Sequence, residues 1–258
     1  MNADLVEPAP TTDGQDGRHV LVTGGSRGIG AAIVRAAVAE GSRVTFTYSQ
    51  DADGARALAA ELGPSVVPFR SDVRDTGRAS EVVAAAVAAN GPLSALVNNA
   101  GITGGLGRFA DATDEALRDV FAVNVLGVMA LSRAALAEWS RTRSAGVIVN
   151  LSSVAARTGS PGEYIGYAAS KAAVDAFTLG LGREVAAQGV RVVGVSPGTT
   201  DTTIHAAGGD PDRPARVAKR IPLGRVATPE EIADAVLWAL SERAAYVTAT
   251  TLSVAGGL

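Results

Sequence analysis

Tyr167 and Lys171, within the sequence Tyr-Ala-Ala-Ser-Lys, combine residue types and a spacing that could carry out proton chemistry. Residues four positions apart lie on the same face of a helix, so the lysine ammonium can lie beside the phenol. A neighbouring cation favours the phenolate and lowers the tyrosine pKa from its ordinary value of about 10, so Tyr167 could exchange a proton near neutral pH. An exposed tyrosine and lysine on an amphipathic helix would show the same spacing, so the pair needs support from other residues.

Two other polar positions supply candidate partners for this pair. Ser152 and Ser153 follow a β-branched run, and a serine hydroxyl there could hydrogen-bond a substrate carbonyl. Asn124 lies within an apolar helical stretch, although asparagine has a low helix propensity. It is therefore either a hydrogen-bonded core amide or part of a site.

A glycine-rich turn, Thr-Gly-Gly-Ser-Arg-Gly-Ile-Gly, joins the first predicted strand to the first predicted helix. Glycine permits positive φ and close approach of a ligand to backbone N–H groups, and a helix N-terminus attracts a pyrophosphate. A tight turn that merely requires glycine is the alternative, but the strand before it and the helix after it favour a dinucleotide site. The predicted contacts are Gly24, Ser26, Arg27, Gly28, Ile29 and Gly30.

The end of the second predicted strand indicates which dinucleotide is bound. An NAD site usually has Asp or Glu there to hold the ribose 2′-hydroxyl, whereas this strand ends in Tyr48-Ser49. The guanidinium of Arg27 could instead pair with a 2′-phosphate. The pattern therefore favours NADP(H) over NAD(H), with Tyr48 and Ser49 among the contacts, unless Asp51 or Asp53 folds back towards the ribose.

Polar residues also follow the third and fourth predicted strands. Asp72 could meet the adenine edge, although an aspartate in this position is more often a helix N-cap. Asn98 and Asn99 could contact the adenosine ribose, and they could equally well tie adjacent strands together. We predict cofactor contacts at Asp72, Val73, Asn99, Ala100 and Gly101.

The elements that must position these residues alternate along the chain from residue 18 onward. The β-branched runs, several of them continuously apolar, are typical of parallel strands covered on both faces. Their alternation with helices predicts an α/β fold, a doubly wound parallel sheet in a single domain over 18–258, with ligands at the carboxyl ends of the strands. The predicted strands are 19–23, 43–48, 65–69, 95–98, 146–151, 190–195 and 250–254, and the predicted helices are 28–40, 51–62, 75–90, 113–141, 164–188 and 229–241.

Composition excludes several other classes of protein. The 258 residues are 47% hydrophobic and 19% charged, as expected for a globular chain. The absence of cysteine excludes disulfides and a thiolate nucleophile, and two histidines are too few for most metal clusters or Ser-His-Asp hydrolases. A net charge of −3 gives no basic field for nucleic acid or an anionic membrane. We therefore expect no metal, nucleic-acid or membrane partner.

Three further segments carry predictions. Residues 1–17 are polar and aperiodic, which predicts a disordered tail and no signal peptide, and the uncharged stretch 82–107 is too interrupted to span a membrane. A cytoplasmic location follows as an expectation. The long insertion after the sixth strand predicts a substrate loop over about 199–225, in which His205 is expected to be a solvent-exposed histidine.

Taken in order, TGGSRGIG, NNAG, Asn124, Ser153 and YAASK resemble the compact type of the short-chain dehydrogenase/reductase family over nearly the whole of 18–258. The resemblance implies a Rossmann-type sheet of strand order 3-2-1-4-5-6-7. It also implies NAD(P)-dependent hydride transfer between a small-molecule carbonyl compound and an alcohol. Pairing of the long helices across subunits into a homotetramer is a further implication.

The resemblance implies a role for each matching residue. Tyr167 would be the general acid/base, and Lys171 would lower its pKa and hold the nicotinamide ribose. Ser153 would orient the substrate oxygen, and Asn124 would hold a water that links Lys171 to solvent. The residues expected at the nicotinamide end of the cofactor are Pro197, Gly198, Thr200 and Thr202.

One departure from the family pattern concerns the loop before the tyrosine. Ser153 and Tyr167 are 14 positions apart, one more than is usual, so this loop is expected to differ and Ser152 is an alternative to Ser153. The alternative function, from a different class, is a dinucleotide-binding regulator on the same fold that carries out no chemistry.

Overall fold

Seven parallel strands form the centre of this protein, whose computed structural model describes residues 17–202, 208–210 and 212–258. The strands are β1 (His19–Val22), β2 (Arg43–Tyr48), β3 (Val66–Arg70), β4 (Ala95–Asn98), β5 (Val147–Leu151), β6 (Arg191–Pro197) and β7 (Thr250–Val254). They pair in the order β3-β2-β1-β4-β5-β6-β7. The predicted doubly wound, Rossmann-type sheet and its strand order are therefore confirmed.

Helices connect the strands and cover both faces of the sheet. In the described residues they are α1 (Gly28–Ala39), α2 (Ala52–Leu62), α3 (Ala79–Asn90), α4 (Asp114–Phe121), α5 (Val128–Thr142), α6 (Ala155–Thr158), α7 (Ile165–Val185), α8 (Arg213–Ala218) and α9 (Pro229–Leu240). Each long helix overlaps a segment predicted from the sequence.

The protein has a hydrophobic core on each face of the sheet, because successive side chains of a strand point to opposite faces. In β1, Val20 and Val22 belong to a core with Ile33 of α1, whereas Leu21 belongs to the opposite core with Leu131 of α5. Both faces of the strand are thus buried, which explains its continuous apolar sequence. The carboxyl edge of the sheet is where the loops that carry polar residues meet.

The start of α9 is fixed by a complete capping box. The Thr228 hydroxyl accepts a hydrogen bond from the Glu231 N–H at 3.3 Å, and the Glu231 carboxylate accepts one from the Thr228 N–H at 2.8 Å. Pro229 occupies the first helical position. The helix start predicted from these residues is confirmed.

The predicted helix 113–141 differs from a regular α-helix in its middle. A π-helical segment, Ala122–Gly127, separates α4 from α5 and contains Asn124. Among the described residues, this combined helix alone is long and apolar enough to cross a membrane, judged by length and composition. Its Leu131 and Trp139 are buried in the core on one face of the sheet, and this packing explains the apolar composition of the helix.

Two sequence predictions fall wholly or largely outside the described residues. The predicted tail 1–17, apart from Gly17, lies outside the described residues. His205 lies outside them too. The segment 199–225, expected to be irregular, contains the short helix α8 and an isolated bridge between Thr200 and Ala227.

Candidate active site

The glycine-rich turn runs from β1 into α1 at the carboxyl edge of the sheet. Gly24 and Gly28 have φ of 66° and 54°, a left-handed conformation that disfavours other residues. A Cβ on Gly30 would lie 2.1 Å from the Gly24 carbonyl oxygen, so the turn packs too closely for any side chain at that position. Ser26 and Ile29 are half-buried in this turn, and Arg27 is exposed.

A small hydrogen-bond network holds the turn in place. The Asn99 amide donates to the carbonyl oxygens of Thr23 and Gly24 at 2.9 and 3.0 Å. The Thr23 hydroxyl accepts from the N–H groups of Asn99 and Ala100, both at 3.0 Å. Asn98 instead ties strands together, because its amide donates to the Asn150 side chain at 2.9 Å. The structural interpretation of both asparagines is therefore supported.

The N-terminus of α1 is open towards a ligand. Its N-cap residue, Arg27, makes no side-chain capping hydrogen bond and no ion pair with any described residue. The first N–H groups of a helix have no intrahelical partner and carry a partial positive charge. This end of α1 can accept a phosphate group, and the residues present fit a dinucleotide.

The acidic residues beyond β2 are already engaged. Asp51 caps α2 by accepting from the Gly54 N–H at 3.0 Å, and Asp53 forms an ion pair with Arg56. Neither carboxylate folds back towards the end of β2, where Tyr48 is half-buried and Ser49 is exposed.

Asp72 and Val73, after β3, have local partners. The Asp72 carboxylate accepts from the Arg74 N–H at 3.0 Å and pairs with the Arg74 guanidinium at 2.7 Å, which lowers the pKa of the carboxyl. Val73 packs against Gly127 at the end of the π-helical segment, where a Cβ on the glycine would lie 2.9 Å from the Val73 oxygen.

Tyr167 and Lys171 lie on α7 as predicted, beside the end of β5. The Lys171 ammonium nitrogen is 5.7 Å from the centre of the Tyr167 ring and donates to the Leu151 carbonyl oxygen at 2.6 Å. Ser153 is half-buried, and its hydroxyl accepts a hydrogen bond from the Ala155 N–H at 3.1 Å. The Ser153 side chain also lowers the pKa of the Tyr167 hydroxyl. Ser152 is buried, and its hydroxyl points to the Lys171 carbonyl at 3.4 Å, so Ser153 is the serine that faces the phenol.

The loop between Ser153 and Tyr167 contains three residues in the left-handed conformation. Gly159, Ser160 and Gly162 all have positive φ, of 73°, 46° and 74°. The loop therefore turns back sharply enough to keep Ser153 against Tyr167.

The expected lowering of the Tyr167 pKa is not found in the structure. Burial raises the pKa of the Tyr167 hydroxyl, and the contact with Ser153 and the charge of Arg213 oppose that rise without cancelling it. Burial also lowers the pKa of the Lys171 ammonium to about 8, with the Asp175 carboxylate opposing the shift. The sequence argument took account of the charge and neglected the removal of water around both groups.

Asn124 is fully buried in the π-helical segment and makes three hydrogen bonds. Its oxygen accepts from the Ile102 N–H at 2.9 Å, and its amide donates to the Ile102 oxygen and the Ser170 hydroxyl, both at 2.9 Å. The widened turn thus connects the segment after β4 to α7. Such π-helical interruptions occur frequently at functional sites.

Gly101 lies where these groups converge. A Cβ on Gly101 would be 3.4 Å from the Asn124 oxygen and 3.5 Å from the Lys171 ammonium nitrogen. The predicted residues after β4, in the π-helical segment and on α7 are therefore brought together at one point.

The segment after β6 closes the same edge of the sheet. The Gly198 N–H donates to the Val254 oxygen at 2.9 Å, and the Thr200 hydroxyl donates to the Gly198 oxygen at 3.2 Å. The Thr202 methyl group is 3.4 Å from the position of a Cβ on Gly28, so this segment reaches the glycine turn. Pro197 is the last residue of β6.

Several contributing residues were not predicted from the sequence. Ser170 supports Asn124, Thr23 supports the turn, and Arg213 of α8 binds Glu163 and lies over the Tyr164 ring just before α7. Ser170 lies three residues after Tyr167 on α7, and that spacing could have identified it. Arg213 had no such signal, because its neighbours come from distant parts of the chain.

Known proteins are similar to this chain in sequence and in fold over nearly its full length. The sequence model of the enoyl-(acyl carrier protein) reductase family matches residues 24–258. The chain is 43% identical over 242 residues to the uncharacterized oxidoreductase YgfF of Escherichia coli (strain K12), covering 92% of this chain and 98% of that protein. It is 38% identical over 254 residues to 3beta-hydroxysteroid dehydrogenase 1 of Eggerthella lenta, covering 95% of each chain.

A solved structure is also similar over nearly the whole chain. The crystal structure of 3-ketoacyl-(acyl-carrier-protein) reductase from Brucella melitensis complexed with NADH superposes with a TM-score of 0.88 at 27% sequence identity. The match covers 95% of this chain and 99% of that one. From the ordered motifs, the strand order and the length of these matches, we conclude that the chain belongs to the short-chain dehydrogenase/reductase family.

Proposed function

We propose that this protein interconverts a carbonyl group and a secondary alcohol by hydride transfer with NADP(H). The observation that carries the proposal is the meeting of the Tyr167 phenol, the Ser153 hydroxyl and the Lys171 ammonium at the sheet edge that also holds the glycine turn. A non-catalytic dinucleotide-binding protein would not require a buried lysine beside this half-buried tyrosine.

The glycine turn and the residues around it would hold the cofactor. The open N-terminus of α1 would bind the pyrophosphate, and the segment after β6 would lie against the nicotinamide end. A bound nicotinamide cofactor supplies the hydride for reduction or accepts it in oxidation. The preference for NADP(H) is supported by the exposed guanidinium of Arg27, which pairs with no carboxylate in the part of the chain that the structure describes. The engagement of Asp51 and Asp53 elsewhere also supports it.

The chain's own residues would manage the proton. In reduction, the Tyr167 hydroxyl donates its proton to the carbonyl oxygen, and in oxidation its phenolate takes the proton of the alcohol. The Ser153 hydroxyl donates a hydrogen bond to the same substrate oxygen and so orients it. Placement of the reacting groups is the main contribution of such a site.

Lys171 and Asn124 would support the phenol. With a pKa of about 8, the Lys171 ammonium is mostly protonated near neutral pH and can stabilise the phenolate and bind the nicotinamide ribose. Asn124 fixes the backbone of Ile102 and the Ser170 hydroxyl, and we propose that it helps to hold the water by which Lys171 exchanges protons with solvent.

The domain and assembly predictions extend this proposal. We propose that the segment 199–225 borders the substrate and that the enzyme acts in the cytoplasm as a homotetramer. Exposed apolar side chains on the long helices support association of subunits, and they include Phe121, Leu126, Met129 and Leu179. Light scattering after gel filtration tests the assembly.

The experiment that tests the function is a panel of aldehydes, ketones and 3-oxoacyl thioesters, followed by the absorbance of NADPH and, in parallel, of NADH. We expect turnover with at least one compound and a higher kcat/KM with NADPH. Tyr167→Phe should bind NADPH nearly normally and lose most turnover, whereas the control Tyr246→Phe, at a fully exposed tyrosine, should retain it.

Two outcomes would contradict the proposal in different ways. Comparable turnover by Tyr167→Phe would refute the role of the phenol. Binding of NADPH without turnover of any compound in the panel would favour the non-catalytic regulator.

A further inference from the structure

Ser170 is a buried serine of α7 whose hydroxyl makes two hydrogen bonds within the candidate site. It accepts from the Asn124 amide at 2.9 Å and donates to the Tyr167 carbonyl oxygen at 2.7 Å. Ser170 and Asn124 are both 0% exposed. The hydroxyl therefore joins the π-helical segment to the backbone of the residue that carries the phenol.

The backbone of Ile102 fixes the direction of these hydrogen bonds. An N–H group can only donate, so the Asn124 atom that lies 2.9 Å from the Ile102 nitrogen is the amide oxygen. The amide nitrogen then donates one hydrogen to the Ile102 carbonyl oxygen and the other to the Ser170 hydroxyl. The Ser170 hydroxyl accepts from Asn124, so its own hydrogen is the one that binds the Tyr167 carbonyl. With both amide hydrogens engaged, the Asn124 side chain is held in one orientation.

This connection lies beside the Lys171 ammonium. A Cβ on Gly101 would be 3.4 Å from the Asn124 oxygen and 3.5 Å from the Lys171 ammonium nitrogen, so both groups approach the same glycine. Ser170 immediately precedes Lys171 in α7, and Ile102 immediately follows Gly101 after β4. Through Asn124, the Ser170 hydroxyl thus fixes the segment after β4 against the turn of α7 that carries the ammonium.

We propose that Ser170 is a positioning residue for the proposed reaction, because its hydroxyl holds the Asn124 amide in the orientation that keeps Asn124 and Lys171 together. This inference rests on the proposed function. Without the hydroxyl, one N–H of the buried amide would lack its acceptor, and the amide would turn to find another. The amide oxygen would then leave the Ile102 N–H. The effect would fall on the chemical step, because Ser170 is enclosed within the protein and cannot contact the substrate.

Thr178, further along α7, provides a matched control. Its side chain is also 0% exposed, and its hydroxyl accepts from the Asn150 amide at 2.9 Å. This hydrogen bond has the same donor and acceptor types and the same burial as the one between Asn124 and Ser170, but it joins α7 to β5. Thr178→Val and Ser170→Ala each remove a buried hydroxyl from the same helix. If the role of Ser170 were only structural, the two variants would behave alike.

The first test is steady-state kinetics with the fastest carbonyl substrate in the panel, with the Kd for NADPH and the midpoint of urea denaturation measured on the same preparations. Ser170→Ala should lower kcat by about five- to fiftyfold and change KM and the Kd for NADPH by less than about twofold. Thr178→Val should lower the urea midpoint about as much as Ser170→Ala does, because both leave a buried amide N–H without its acceptor. Its kcat should stay within about twofold of that of the unsubstituted protein.

The second test is hydrogen exchange of the backbone, measured by mass spectrometry on peptides that cover residues 99–106. The Ile102 N–H is protected by the Asn124 oxygen, so its exchange should become faster in Ser170→Ala and in Asn124→Ala but not in Thr178→Val. This measurement does not depend on turnover.

Three results would overturn the inference. They are an unchanged kcat in Ser170→Ala, an equal loss of kcat in Ser170→Ala and Thr178→Val, and a loss of kcat in Ser170→Ala with unchanged exchange at Ile102. If Tyr167→Phe is inactive in these cases, only this inference fails, whereas an active Tyr167→Phe would refute the proposed function itself.

Discussion

Lys171 holds its ammonium nitrogen 5.7 Å from the centre of the Tyr167 ring, on the next turn of the same helix. The lysine is 4% exposed, and burial lowers its pKa from 10.5 to about 8. A change of this size corresponds to roughly 3 kcal/mol against the charged form in the folded protein. A buried ammonium of this kind destabilises the fold, so its presence is better explained by chemistry than by stability.

We expect Lys171→Met to abolish most turnover and to stabilise the protein against unfolding. Methionine fills a similar volume without a charge, although the Leu151 carbonyl loses the donor that Lys171 provides at 2.6 Å. With about 1–2 kcal/mol subtracted for that carbonyl, the free energy of unfolding near neutral pH should rise by about 1–2 kcal/mol. Urea denaturation of both proteins measures the difference.

The pH dependence of that difference provides a control. The folded pKa of about 8 lies below the unfolded value of 10.5, so the unfolded chain binds more protons between these values. The stability of the unsubstituted protein should therefore rise relative to the variant as the pH increases through this window. A less stable Lys171→Met protein, or a constant difference, would show that burial of the ammonium is not costly.

The fold could be predicted because its signals are local and repeated. Val20, Leu21 and Val22 form a continuous apolar run, which requires cover on both faces of the sheet, and each such run is followed by a helix. Thr228 with Glu231 defines the start of α9 through a short-range capping box. Such features depend on neighbouring residues and are present in the sequence itself.

The site was predicted in its residue types but not in its electrostatics. The i, i+4 spacing places Lys171 beside Tyr167, yet the pKa of each group depends on how much water the whole fold excludes. Arg213 could not be predicted because its position depends on Glu163 and Thr199, which are separated from it along the chain and unrelated to it by any helical or strand spacing.

We expect opposite effects from Gly→Ala substitutions at Gly30, which belongs to the glycine turn, and at Gly180 of α7. In Gly30→Ala the new Cβ would lie 2.1 Å from the Gly24 carbonyl oxygen and 2.6 Å from the Asn99 amide nitrogen, so the turn must shift. We expect a loss of about 3 kcal/mol or more in stability and loss of NADPH binding. Thermal unfolding and NADPH fluorescence titration measure the two effects.

Gly180→Ala is the control for this comparison. Gly180 is an exposed residue of α7, and its Cβ would meet no atom within 4 Å. Alanine should stabilise the helix by about 0.5–1 kcal/mol and leave NADPH binding unchanged. Normal NADPH binding by Gly30→Ala would show that the turn is not the cofactor site.

Arg27 and Arg35 provide a test of cofactor preference. Both line a cleft of about 400 Å³ beside the glycine turn, but Arg35 is held by two 2.8 Å hydrogen bonds to Glu61 whereas Arg27 has no carboxylate partner among the described residues. If Arg27 binds the 2′-phosphate, Arg27→Ala should raise the Kd for NADPH by about ten- to a hundredfold and change that for NADH little.

Arg35→Ala should leave the ratio of the two Kd values nearly unchanged, because its guanidinium is already paired. Fluorescence titration with both dinucleotides measures the ratio. An equal loss of affinity for NADH and NADPH in Arg27→Ala would mean that the residue supports the turn and does not select the cofactor.

We expect His19 to make folding stability sensitive to mild acid. It is fully buried in β1, with Nδ1 3.0 Å from the Gly91 carbonyl oxygen and Nε2 3.0 Å from the Thr45 hydroxyl. A carbonyl can only accept, so Nδ1 donates and Nε2 of the neutral ring accepts from Thr45. Burial, aided by the charge of Arg43, lowers the pKa of the imidazole below its usual 6.5.

Stability should therefore fall as the pH decreases below 6.5, because the unfolded chain takes up a proton that the folded protein resists. The slope approaches at most about 1.4 kcal/mol per pH unit, and it precedes the titration of most carboxylates. His19→Gln should flatten the dependence between pH 6.5 and about pH 5, although it is expected to be less stable overall. The control His205→Gln changes the only other histidine. Urea denaturation of the unsubstituted protein and both variants between about pH 5 and 6.5 then shows which histidine causes the pH dependence of stability. The same slope in His19→Gln as in the unsubstituted protein would show that the acid sensitivity arises from other groups.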